Sequence, residues 1–161
     1  MPGWDSFFQG ELGAASALAG LLFVAVSVNQ ARILELGRMA DRGLEALSML
    51  FLVVAVASLA LVPGQPPRLL GAEIAALSLA TLAALARLQH AYLRHVDPPH
   101  RRRSTHMVRF NQLAIALLAL GGLVLACRSG PAGLYLLVAG ILFTFIGAGA
   151  NAWVLLIEIN R

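Results

Sequence analysis

From Ser129 to Ile157 the chain carries no charged side chain, and Leu12 to Ala31, Ala46 to Pro67 and Phe110 to Cys127 repeat the pattern. A helix rises about 1.5 Å per residue and the hydrocarbon core of a bilayer is about 30 Å thick, so about 20 apolar residues cross it. Uncharged runs of this length leave few folds open other than helices buried in lipid, where each backbone N–H and C=O must be satisfied within its own segment. A fifth run is weaker. It is uncharged only from Ile74 to Ala86 and reaches spanning length, Leu69 to Leu93, by admitting Glu73 near one end and Arg87 near the other. Both can snorkel to an interface or face a neighbouring helix.

Composition agrees. The chain is 59% hydrophobic and 12% charged, against roughly 25% charged in soluble domains. The net charge of +4 could suggest nucleic acid, but the charges lie between apolar runs and not on one polar face, so no nucleic-acid partner is expected. The single cysteine, Cys127, excludes an internal disulfide.

The expected fold is therefore all-α: one integral membrane domain of five helices over residues 8–31, 44–63, 69–93, 108–127 and 132–158. All seven prolines fall at or outside these ends, where a missing N–H does no harm. Pro63-Gly64-Gln65-Pro66-Pro67 and Ser129-Gly130-Pro131 read as tight connections, and Asp97-Pro98-Pro99 as a break. Ten arginines (Arg32, Arg38, Arg42, Arg87, Arg94, Arg101, Arg102, Arg103, Arg109 and Arg161) fall on one side of this arrangement and two, Arg68 and Arg128, on the other. Cytoplasmic connections retain positive charge, so the N-terminus is expected outside and the C-terminus inside, in a bacterial cytoplasmic membrane. Asp5 and the absence of a basic flank argue against a cleaved signal peptide.

Small residues mark two helix faces. Gly10, Gly13, Ala14, Ala17 and Gly20 recur three or four apart in the first span, and Gly140, Thr144, Gly147 and Ala148 in the fifth. Such faces let backbones approach closely in lipid, either within one subunit or between subunits. Glu11 lies beside the first of them, near the outer end. It is either a second carboxylate paired with Glu73 at an outer mouth, with Arg68 and Arg128 as candidate partners, or an interfacial residue at a helix N-terminus. Asn151 interrupts the fifth span and reads as packing glue or as a polar lining. Asn111 and Gln112 read as interfacial.

His90, His95, His100 and His106 lie between residues 90 and 109 together with Arg101, Arg102, Arg103 and Arg109. Their spacings lack converging ligands and a nearby cysteine, so no metal is expected, and the basic residues, with Arg87 and Arg94, are assigned to lipid headgroups. The first connection, from Ala31 to Leu47, continues a helical pattern in which Glu35 with Arg38, and Arg42 with Glu45, form surface pairs. Glu158 pairs most simply with Arg109 or Arg161. No GxSxG elbow, phosphate loop, HExxH or CxxC occurs, so neither catalysis nor a cofactor is expected.

The stretches FFQGELGAASALAGLLFVAVSVNQARIL, DRGLEALSMLFLVVAV, LVPGQPP and NAWVLLIEI together resemble a family of small bacterial multi-pass membrane proteins, some loosely labelled modulators of the FtsH membrane protease. The resemblance implies a regulatory protein that binds another membrane protein. The polar residues of the first, third and fifth spans support a different expectation, a homo-oligomeric channel-like or transport-like assembly with Glu11 and Glu73 at its outer mouth.

Overall fold

The computed structural model describes residues 3–35, 38–94, 98–128 and 131–159. Six helices follow one another: α1 (Asp5–Val28), α2 (Gln30–Glu35), α3 (Arg38–Ala60), α4 (Pro67–Arg94), α5 (Pro98–Arg128) and α6 (Pro131–Ile159). All but the short α2 are long and apolar enough to cross a membrane, and the chain is an all-helical, multi-pass membrane protein. Prolines open α4, α5 and α6, where the fixed φ suits the first helical turn and no hydrogen bond is lost. Between α3 and α4 the chain reverses at Gly64, whose φ of 71° suits glycine.

Two stretches differ from the sequence expectation. The basic stretch from Pro98, expected to connect two spans up to residue 108, is helix, because α5 begins at Pro98 and carries Arg101 to Arg109. Likewise α3 begins at Arg38, so much of the expected first connection belongs to a spanning helix. In both places charged residues prolong a helix past the hydrocarbon, which apolar counting alone does not detect.

Helices α3, α4, α5 and α6 form a ring in which each packs on the next and α6 closes on α3. Helix α1 lies outside this ring along α3. Its N-terminus is tied to α6 by aromatic packing, with the Trp4 and Tyr135 ring centroids 5.4 Å apart and Phe7 and Phe8 beside Trp4. Trp and Tyr favour the membrane–water boundary, so this cluster marks one end of the bundle.

The core consists of side chains turned into the ring: Met49, Val53 and Val56 from α3, Ile74 from α4, Ile115 and Leu118 from α5, and Leu137 and Ile141 from α6. Outward positions are apolar as well, among them Leu21, Phe23, Leu79, Leu120 and Trp153, all exposed. A polypeptide that is apolar on both its inner and outer faces matches hydrocarbon as its solvent.

The tightest contacts use glycine. A Cβ on Gly122 of α5 would lie 2.6 Å from the Ala75 nitrogen and 2.8 Å from the Gly71 oxygen of α4. Its neighbour Gly121 faces the other way, where a Cβ would lie 3.0 Å from the Gly133 oxygen of α6. Adjacent glycines thus let α5 sit backbone to backbone between α4 and α6. Of the faces expected from sequence, Gly140 packs on Leu118 and Gly147 on Asn111 and Met49, inside the ring. Around Gly10, Gly13 and Gly20 an added Cβ would meet nothing within 4 Å, and Ala17 is exposed.

Candidate functional site

Near the Arg-rich end of the ring the apolar interior gives way to a polar cluster. Glu45, one turn in from Asp41 and Arg42 on α3, is 6% exposed, and its Oε1 accepts hydrogen bonds from Gln89 Nε2 of α4 at 2.6 Å and Asn111 Nδ2 of α5 at 2.7 Å. Gln112 Nε2 donates to Gln89 Oε1 at 2.8 Å, which extends the network across the α4–α5 contact. Asn111 is fully buried, so the expected interfacial position is corrected: it reaches α3 across the bundle centre. The expected Arg42–Glu45 pair is also replaced. Glu45 turns inward to the two amides, whereas Arg42 donates to Ser104 Oγ at 3.4 Å and to the Met107 sulfur at 3.3 Å.

Asn151 of α6 completes the cluster and is 1% exposed. It lies one turn beyond Gly147, whose backbone abuts the Asn111 side chain. The Asn111 Oδ1 and Asn151 Nδ2 atoms are buried and have no hydrogen-bond partner among the described residues. One is an acceptor and the other a donor, on adjoining turns of α5 and α6. Asp41, Arg42, Glu45, Gln89, Ser104 and Asn151 border a pocket of about 10 Å³, room for about one water.

A carboxyl group removed from water is costly unless hydrogen-bonded. Here one carboxylate oxygen of α3 accepts from amide N–H groups of α4 and α5, and the geometry also specifies register, since a slipped helix would leave these donors unpaired. No group of three His, Cys, Asp or Glu converges among the described residues. The cluster offers hydrogen bonding and one acid, Glu45, with Asp41 and Ser104 bordering the adjoining pocket.

The remaining candidates are dispersed. Glu11 is half-buried on α1, outside the ring. Glu73 accepts a hydrogen bond from Gln65 of the α3–α4 connection, which braces that turn and accounts for its carboxylate without Glu11. Arg87, Arg102 and Arg109 are exposed at the Arg-rich end. The side chains of Arg94, Arg101 and Arg103, and those of Glu35, Arg38 and Glu158 whose pairing was expected, lie outside the described residues.

Sequence reading missed that Glu45, Gln89, Asn111 and Asn151 share one level. The available signal was depth: each lies within about four turns of the Arg-rich end of its own helix. No protein-family model matches the chain, and no curated protein or solved structure matches it either.

Proposed function

We propose that this chain is a membrane interaction protein, a sealed bundle that acts by associating with another membrane protein and neither conducts a solute nor catalyses a reaction. The observation that carries this reading is the interior beyond the polar cluster. Between Glu45 and the opposite end the ring is closed by Met49, Val53, Ile115, Leu118, Leu137 and Ile141, all buried and apolar. Two buried hydroxyl residues, Ser78 of α4 and Thr144 of α6, interrupt the apolar interior, and Thr144 spends its hydroxyl on the Gly140 carbonyl of its own helix at 2.7 Å. A solute crossing the subunit would have to shed its hydration against hydrocarbon.

The resemblance to small bacterial membrane proteins, some labelled protease modulators, supports the same reading. So does the position of α1, the least enclosed helix, whose small residues leave room for another backbone. In this proposal the Arg-rich end faces the cytoplasm of a bacterial inner membrane. A second reading, an oligomeric channel-like assembly with its path between subunits, draws on Glu11, a half-buried acid on that uncovered helix.

Reconstituted liposomes separate the two. The sealed-bundle reading predicts proton and potassium flux no greater than in protein-free vesicles, at any pH or imposed voltage, while a photo-crosslinker at Ala17 forms a discrete adduct in native membranes and one at Leu120 does not. Flux that Glu11→Gln diminishes would establish the channel-like reading instead.

A further inference from the structure

On the outer surface of the bundle, near the Arg-rich end, α4 and α5 diverge enough to leave a groove of about 470 Å³. Its walls are Leu82 and Ala86 of α4 and Leu113 and Ala116 of α5, and its polar end is formed by Arg109 and Gln112. The two alanines make the groove, since each stands where a larger side chain would fill the space between the helices. Gln112 is fixed by its hydrogen bond to Gln89, so the polar rim is anchored to the buried network. Arg109 is exposed and makes no hydrogen bond or ion pair among the described residues.

We propose that this groove binds one anionic phospholipid, with the phosphate against Arg109 and an acyl chain lying between Leu82, Ala86, Leu113 and Ala116. Three features select this occupant. The groove opens sideways onto surface that is otherwise apolar, Leu113 and Leu120 being exposed beside it. Its length from Arg109 to Ala116 is about 10 Å along the helix, matching an upper acyl segment. The cation at its mouth meets no counter-charge among the described residues, and Arg87 and Arg102 are exposed at the same end of the bundle, so the local field favours an anion at headgroup depth. This inference is independent of whether the protein conducts or regulates.

The test uses the full chain in mild detergent, titrated with phosphatidylglycerol or with phosphatidylcholine of identical acyl chains and read by native mass spectrometry. Wild type retains one phosphatidylglycerol about five- to tenfold more strongly than phosphatidylcholine, the range expected for one arginine at a headgroup. Arg109→Gln removes this preference and Arg102→Gln keeps it, while Ala116→Trp weakens retention of both lipids by filling the groove. Millimolar inorganic phosphate leaves the retained lipid in place. Equal retention of the two lipids by wild type, or an undiminished preference in Arg109→Gln, would overturn the proposal. Displacement by free phosphate would reduce the site to an anion pocket, and loss of lipid on dimerisation would make the groove a subunit interface; either outcome also overturns it.

Discussion

Gly122→Leu is expected to yield almost no monodisperse protein after extraction, whereas Gly149→Leu on the exposed face of α6 behaves like wild type. The difference follows from what each new side chain meets. At Gly149 an added Cβ finds nothing within 4 Å. At Gly122 it falls 2.6 Å from the Ala75 nitrogen and 2.8 Å from the Gly71 oxygen, backbone atoms that cannot rotate away. Helices α4 and α5 must then separate, which loses the packing around Ile74 and Leu125 in addition to creating strain. Overpacking a core costs about 1–3 kcal/mol when side chains can adjust, and more where they cannot. Gly122→Ala sets the lower bound and should already lower the midpoint of thermal unfolding. Size-exclusion recovery and a thermal ramp on the three variants check this; normal recovery of Gly122→Leu would mean that α4 and α5 do not touch at this crossing.

The second large effect is predicted at Glu45. Glu45→Ala leaves Gln89 Nε2 and Asn111 Nδ2 without their acceptor inside the bundle. Hydrogen bonds between membrane helices contribute about 0.6–2 kcal/mol each, so losing two lowers stability by about 1–4 kcal/mol. Glu45→Gln keeps a carbonyl oxygen in place and is expected to lose less than half of that. Asn111→Leu should resemble the alanine variant, and the double variant Glu45→Ala/Asn111→Leu should cost less than the sum, because the two residues share a bond. Unfolding in mixed micelles measures all four. Additive losses, or equal losses for Glu45→Ala and Glu45→Gln, would show that Glu45 does not hold the helices together.

The two predictions fall on residues that differ in how visible they are in a linear sequence. The five spanning helices are legible because charge-free runs and prolines at their ends report the bilayer thickness directly. Gly121 and Gly122 are not, since their meaning depends on two different partners on opposite sides of α5, and no periodicity within one helix reveals that. Gly10, Gly13 and Gly20 show the converse case: a regular spacing that suggests close packing, at positions where an added Cβ meets nothing within 4 Å among the described residues. Periodicity identifies a face, and only the arrangement of helices identifies what covers it.

Glu45 illustrates the same limit for polar residues. Its nearest opposite charge in sequence is Arg42, and local pairing on a helix surface is the simplest reading of that spacing. In the bundle the antiparallel course of α3, α4 and α5 brings Glu45, Gln89 and Asn111 to one level, although they are 44 and 66 positions apart in pairs. Glu45 then takes the amide donors at its own level, and the half-buried Arg42 turns to Ser104 and Met107. Asn151, read as an interruption of the fifth span, joins the same level about two turns before the end of α6.

The proposed arrangement has α5 crossing the bilayer with its basic start in the cytoplasm, and the one native cysteine allows this to be measured. Cys127 is exposed near the far end of α5, and His106 is exposed near its start. In intact cells a membrane-impermeant maleimide is predicted to label Cys127, while a Cys127→Ser/His106→Cys chain is labelled only after the membrane is permeabilised. Labelling of both chains from outside intact cells would contradict the five-span arrangement, and the reverse pattern would contradict its orientation.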